Sequence, residues 1–477
     1  MLEHLEPKAV FHWFEALCAI PHGSGNTRAV ADWCVDFAKE RGLACRRDAH
    51  DNVIIVKEAA PGYETAPTLI LQGHLDMVCE KVPGCGKDMA KEGLDLRCDE
   101  DWVWAEGTTL GGDDGIAVAT ALAILDDDSL PHPRLEVLIT ADEEIGMLGA
   151  EGLDASDLQG RQLLNLDSES EGIFTVGCAG GNRTHCVLPL RREPYEGGVW
   201  RLTVSGLRGG HSGECIGLGR GNASILLGRL LGEIAGKTEL RLILAQGGLK
   251  DNAIPSQAEA EIAVPAGTEL TDIAAAFEAQ LRHEYRAADP DVTVTAVPCE
   301  PGFLPMDEAS TARCLCLLTC APNGIQEMSQ DVSGLPQTSL NLGILTTVED
   351  TMEASFCLRS SVASQKEMMR RRLDSLTTAL GGHTEVSGDY PAWEYRADSA
   401  LRDRMVAVYR DQYGAEPRIE VIHAGLECGL LSGKLPGLDC VSIGPDLEDI
   451  HTPRERMSIP SVQRIWAFVT EVLRRSK

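Results

Sequence analysis

The hydrophobic pattern changes character twice along the chain. Through about the first 180 residues, short apolar runs at 52–56, 68–71, 135–140 and 162–166 have the length of buried strands, and they alternate with helical periodicity at 28–40 and 114–125. Alternation of this kind predicts a largely parallel sheet between helices. From about His185 the strands alternate polar and apolar positions more clearly, at 199–205, 258–264 and 291–297, with helices at 219–234 and 270–285. Strands at 340–346 and 352–359 and a helix at 364–380 repeat that order, hinting at a duplicated unit, although no sequence repeat accompanies it. After about Gly388 the first texture returns as helix 399–413, strands 418–423 and 439–443, and helix 461–475. The simplest architecture is an α/β domain built from residues 1–184 and 388–477, split by an inserted α+β domain at 185–387. A linear three-domain array is the alternative, and the position of the metal-ligand residues separates the two.

A chain of 477 residues exceeds what one compact core organises, which fits this division. Its formal net charge of -30 would repel a nucleic-acid backbone or an anionic membrane, so neither is expected as a partner. Most of that acidity is read as solubility. Residues 1–21 mix Glu3, His4, Glu6, Lys8 and Glu15 with apolar positions, unlike a signal peptide. No run approaches the ~18 apolar residues of a membrane span. The sixteen cysteines include no C-x-x-C pair, and Cys314, Cys316 and Cys320 lie in an apolar run as ordinary buried thiols would. A reduced cytoplasm is the expected location.

Candidate chemistry lies where the apolar runs stop. The run at 68–71 leads into Gly73-His74-Leu75-Asp76, and residues two apart at a strand end project to one side. Such a pair alone is common by chance. The run at 135–140 leads into Asp142-Glu143-Glu144, that at 162–166 into Asp167, and Cys440 to Pro445 leads through an acidic loop to His451. Side chains of metal-ligand type therefore follow four separate strands, and open α/β sheets build their sites at the carboxyl ends of strands. In Thr108-Thr109-Leu110-Gly111-Gly112-Asp113-Asp114-Gly115, Asp114 reads as a helix cap. Asp113, on a flexible glycine turn, is able to approach two ions at once. Histidines and carboxylates without ligand-spaced cysteines suit zinc, manganese or cobalt. Of the adjacent Glu143 and Glu144, one can coordinate while the other moves a proton; a solvated helix start is the ordinary alternative.

The motifs His-Leu-Asp-Met-Val, Thr-Thr-Leu-Gly-Gly-Asp-Asp-Gly, Asp-Glu-Glu-Ile-Gly-Met, Leu-Asn-Leu-Asp-Ser-Glu, Gly-Gly-His-Ser-Gly and His-Ala-Gly-Leu-Glu-Cys-Gly closely resemble those of the aminoacyl-histidine dipeptidases. These are also called β-alanyl-histidine or cytosolic non-specific dipeptidases, within the di-zinc aminoacylase and carboxypeptidase superfamily. The resemblance runs in family order from residue 74 to 451. It implies that Asp113 bridges two metal ions, one also bound by His74 and Asp167 and the other by Glu144 and His451. It implies that Asp76 orients His74 through the second ring nitrogen and that Glu143 is the general base and acid. A lid domain inserted in the catalytic domain is implied as well, with His211 stabilising the oxyanion and Asn252, Arg359 and His423 binding substrate. Arg359 has the planar fork that pairs with a free carboxylate. A homodimer is the family's expected assembly. Two departures stand out: Asp114 replaces a common asparagine beside the bridging ligand, and Glu214-Cys215 follow the lid histidine.

The expectation is a cytoplasmic, metal-dependent dipeptidase with two divalent ions per chain, zinc first and manganese or cobalt as alternatives. It would hydrolyse unblocked dipeptides (Xaa-His, β-Ala-His or broad specificity) by a metal-bound hydroxide, with Glu143 as general base. The rivals are a tripeptide aminopeptidase, an N-acyl amino acid deacylase, and a non-catalytic metal- or peptide-binding protein. The last has no use for Glu143.

Overall fold

A computed structural model describes residues 1–477. The chain separates into a first unit, Met1–Gly177 with Tyr395–Val421 and Leu426–Lys477, and a second, Cys178–Glu394 with Ile422–Gly425. The second unit thus begins at Cys178 and ends at Glu394, outside the 185–387 window read from periodicity. The strands Gly180–Pro189 and His383–Tyr390 pair with each other, which draws both flanks into the second unit. No helix is long and apolar enough to cross a membrane.

The first unit is built on an eight-stranded sheet. Its order is Ala44–Arg47, Val53–Lys57, Leu135–Thr140, Leu69–His74, Gln162–Asn165, Asp439–Ser442, Ile173–Cys178 and Arg418–Ile422. The four strands from Leu135–Thr140 to Asp439–Ser442 run parallel. Pairing is antiparallel on both sides of them, so the parallel character is confined to the centre. The reason on one side is a hairpin: five residues join Ala44–Arg47 to Val53–Lys57, too few for a crossover. Leu69–His74 and Leu135–Thr140 are buried at every position, as central parallel strands with both faces covered should be.

The helix Gly112–Asp126 is buried at every residue from Asp114 to Leu125 and lies against the strand Leu69–His74. Gly73 permits that approach: a Cβ there would sit 2.5 Å from Asp114 Oδ2 and 2.6 Å from Ala117 Cβ. A separate four-stranded sheet, in the order Leu447–Glu448, Arg456–Ser458, Trp102–Ala105 and Leu96–Cys98, was not predicted. It matters because His451 lies in the loop between its first two strands.

The second unit carries a nine-stranded antiparallel sheet with helices Ala223–Ala235, Thr271–Glu284, Glu308–Cys320 and Ala363–Ala379. Its halves meet at one residue pair, Gly247 with Leu345. On the helix Glu308–Cys320, Cys314 is buried, Cys316 half-buried and Cys320 exposed. The reading of all three as buried thiols is therefore corrected: an amphipathic helix turns only one side inward, and residues four apart share the outer one.

Candidate metal centre and active site

In the first unit, three adjacent parallel strands end in predicted site residues. His74 is the last residue of its strand, Asp142-Glu143-Glu144 follow Leu135–Thr140, and Asp167 follows Gln162–Asn165. Their neighbourhood in the sheet brings these side chains together at one edge. Asp113 arrives from the start of the buried helix, and His451 from the small sheet's loop. His74 Nε2 lies 3.2 Å from Asp113 Oδ1 and 3.7 Å from Asp167 Oδ1. His451 Nε2 lies 3.0 Å from Asp113 Oδ2 and 2.9 Å from Glu144 Oε1. The two oxygens of Asp113 thus face different histidines.

These separations fit metal coordination. Ligand atoms ~2.1 Å from a tetrahedrally bound ion lie ~3.4 Å from one another, and the four distances straddle that value. The ion pairs of Asp113, Glu144 and Asp167 are with His74 and His451 alone, with no lysine or arginine among them. Half-buried to buried carboxylates without basic partners form a site that a cation would stabilise. Asp142 and His451 both adopt left-handed backbone, φ 55° and 59°, a strained conformation for such residues that often marks functional loops.

Two aspartates make contacts that the sequence did not announce. The partner of His74 Nδ1 is the main-chain carbonyl of Asp76, at 2.9 Å, while the Asp76 carboxylate stands 3.5 Å away. The shorter bonds of that carboxylate are accepted from the Glu143 amide at 2.9 Å and the Ser24 hydroxyl at 2.8 Å, with the Glu144 amide at 3.3 Å. Asp76 therefore faces the His74 ring and also holds the loop bearing Glu143 and Glu144. Asp114 does not cap its helix: it is buried, and Oδ2 accepts the His74 amide at 3.1 Å. It also falls in one potential ion-binding group with His74 and Asp167.

The electrostatics follow from crowding. Burial pushes the Glu143 carboxyl up to about 8, opposed by His74 and reinforced by Glu427, Glu144 and Asp113. Hydrogen bonds accepted by Asp113 and Glu144 raise His451 to about 10. Burial opposes charge on His74, yet bonds to Asp113 and Asp76 carry it well above the usual imidazole range. Burial likewise opposes charge on Asp113, but the two histidines hold its carboxyl below the usual range.

The remaining predicted residues gather in the second unit. His211 Nε2 lies 3.3 Å from Arg359 Nη2, and Arg359 Nη1 donates to the Tyr390 hydroxyl at 3.3 Å. The Glu214 amide faces His211 Nδ1 at 3.3 Å, so each ring nitrogen of His211 has a donor beside it. Arg359 is buried without an acidic partner, and its Nε has no hydrogen bond. His423 Nε2 pairs with the Ser339 hydroxyl at 2.6 Å; burial, Arg359 and His211 lower the ring to about 4, so it is neutral. Gly213 keeps the cluster open, since a Cβ there would approach the His423 carbonyl to 2.4 Å and His211 Cε1 to 3.1 Å. Asn252 joins through its main-chain carbonyl, which accepts the Ser212 amide.

Several polar partners escaped the sequence reading. Glu427 is fully buried, and its Oε2 accepts from Gln72 and Thr140, each at 2.6 Å, while Asn165 donates to Gln72 Oε1 at 2.5 Å. This layer lies under the strand ends, two or three residues before His74, Asp142-Glu143 and Asp167. The available signal was polar residues at otherwise apolar strand positions. Tyr390 and Ser339 carried no such mark.

A sheet whose parallel strands end in a histidine and carboxylates, gathered around an aspartate that also faces His451, has the donor set of a metallopeptidase-type centre. The chain belongs to peptidase family M20/M25/M40, whose profile matches residues 70–475. It is 38% identical over 477 residues to the cytosol non-specific dipeptidase of Escherichia coli (strain K12), covering 99% of this chain and 98% of that protein. The crystal structure of an aminoacylhistidine dipeptidase from Vibrio alginolyticus superposes with a TM-score of 0.93 at 38% identity, over 99% and 97% of the two chains. An aminopeptidase PepT from Bacillus cereus, at 14% identity, TM-score 0.57 and 99% coverage of both chains, shares the fold.

Proposed function

We propose that this protein is a metal-dependent dipeptidase acting on unblocked dipeptides, with Xaa-His, β-Ala-His or broad specificity. The observation that carries the reading is Asp113, with one oxygen toward each of two histidines that have further carboxylate partners. Full-length similarity to dipeptidases supports the substrate class. In this reading two divalent ions would be held with Asp113 as a ligand common to both, one also by His74 and Asp167 and the other also by Glu144 and His451. Zinc fits the nitrogen and oxygen donors first, with manganese or cobalt as alternatives. The protein works in the cytoplasm as a homodimer, as its relatives' family leads one to expect.

What the ions supply when bound is Lewis acidity, polarising the scissile carbonyl and acidifying a water. Glu143 takes the water's proton on a carboxylate oxygen as the C–O bond forms, then delivers it to the amine nitrogen as the C–N bond breaks. Asp76 keeps Glu143 in place by accepting its amide. His211 is assigned the role of stabilising the carbonyl oxygen as negative charge builds there. Arg359, which lacks an anion of its own, pairs with the substrate's free carboxylate. His423 and Asn252 shape that pocket.

A panel of free dipeptides, tripeptides and N-acetyl amino acids tests the assignment. Free dipeptides should turn over fastest; preference for tripeptides or acetylated substrates would transfer the chain to an aminopeptidase or deacylase. Arg359→Ala should raise KM for a dipeptide by about 10- to 100-fold, the loss expected for charge-assisted hydrogen bonds to one carboxylate. Because Arg359 has no acidic partner in the fold, the melting temperature should fall little. An unchanged KM, measured by steady-state kinetics, would remove Arg359 from the pocket.

A further inference from the structure

Four residues beyond His451, Glu455 is 3% exposed. Its carboxylate accepts four successive main-chain amides: Leu110 and Gly111 at 2.8 and 3.1 Å on Oε2, Gly112 and Asp113 at 2.8 and 3.3 Å on Oε1. Consecutive amides curled around an anion form a nest. The sequence makes this one possible with two glycines. Gly111 has φ 67°, and a Cβ on it would lie 2.8 Å from Met77 Sδ. A Cβ on Gly112 would lie 3.1 Å from Leu447 Cδ2 and 3.3 Å from Glu455 Oε1.

The fourth amide belongs to Asp113, whose oxygens face both histidines. Glu455 itself sits in the His451 loop, where its own amide donates to the Thr452 carbonyl at 3.0 Å. One carboxylate therefore ties together two segments, far apart in sequence, that each present a side chain to the same edge of the centre. We infer that Glu455 is a positioning residue of the metal centre: as the anion of the 110–113 nest, it fixes Asp113 against His451 and so sets the affinity for the ion those two share with Glu144. The inference rests on the two-metal reading. A carboxylate is required because all four partners are donors. Glutamine would turn an NH2 group toward two of them.

The test is zinc titration of metal-stripped protein by calorimetry, with bound metal counted after dialysis, for the wild type, Glu455→Gln and Glu455→Asp. The wild type should take two ions. In Glu455→Gln the ion shared by Asp113, Glu144 and His451 should bind 10- to 100-fold more weakly, the usual cost of losing an outer partner of a ligand, and the other, which shares only Asp113 with this loop, should weaken less. Turnover at limiting zinc should fall and return with excess zinc, at unchanged KM. Glu455→Asp, with both oxygens on a shorter arm, should fall between them. If Glu455→Gln does not fold, Gly112→Ala crowds the same contact from the nest side and should weaken the same ion most. Two ions at wild-type affinity in these variants, or equal loss of both, would overturn the positioning role. A wild type that binds fewer than two ions would instead sink the two-metal reading, and this inference with it.

Discussion

Glu143→Gln is expected to lower kcat by about 1,000-fold, within the range for removal of a general base and equivalent to ~4 kcal/mol of transition-state stabilisation. Its metal content should stay at the wild-type level. The expectation follows from the division of labour between neighbours: Glu144 faces His451, whereas Glu143 makes no ion pair and is held by its main chain, its amide on Asp76 and its carbonyl on the Gly146 and Met147 amides. Glutamine preserves shape and leaves that amide bond intact, so the loop should not move. Paired measurements of kcat and bound metal decide it. Full activity would deny Glu143 the proton transfer, and lost metal would make it a ligand.

Asp113→Ala should have the broader effect, emptying both positions at once and reducing turnover by more than about 1,000-fold. Each Asp113 oxygen lies 3.0 or 3.2 Å from a different imidazole, so no other side chain can substitute for it at both places. The contrast with His451→Ala is informative, since that change should leave the ion between His74 and Asp167 in place. Metal counting after dialysis separates the two cases. One ion retained in Asp113→Ala would mean that Asp113 is not a shared ligand. The histidines, freed of the partner that holds them charged, should also titrate at lower pH in this variant, because hydrogen bonds to Asp113 contribute to raising both.

Much of the site was legible because buried parallel strands write themselves as unbroken apolar runs, and a histidine or carboxylate at the end of such a run stands out. His74, Glu143, Glu144 and Asp167 all carry that mark. Direction of contact was less legible. Asp76 is two residues from His74 and faces its ring, but nothing local announces that the same carboxylate also accepts the Glu143 amide from the neighbouring loop. Asp114 beside a helix start looks like a cap, but the close packing that Gly73 allows brings the His74 amide within its reach.

By itself the sequence determined which strands are buried, which residues could hold metal or move a proton, and, through its ordered motifs, the family. Those depend on local periodicity and residue chemistry. Tertiary structure alone decided three matters. Strand Asp439–Ser442 lies beside Gln162–Asn165, a pairing of distant segments that no local pattern encodes. Strands of two to four residues form the small sheet that carries His451, too short to show a period. Glu455 closes a nest of main-chain amides, and every residue except proline has an amide to offer, so the letters around residue 112 could not announce the partner at 455.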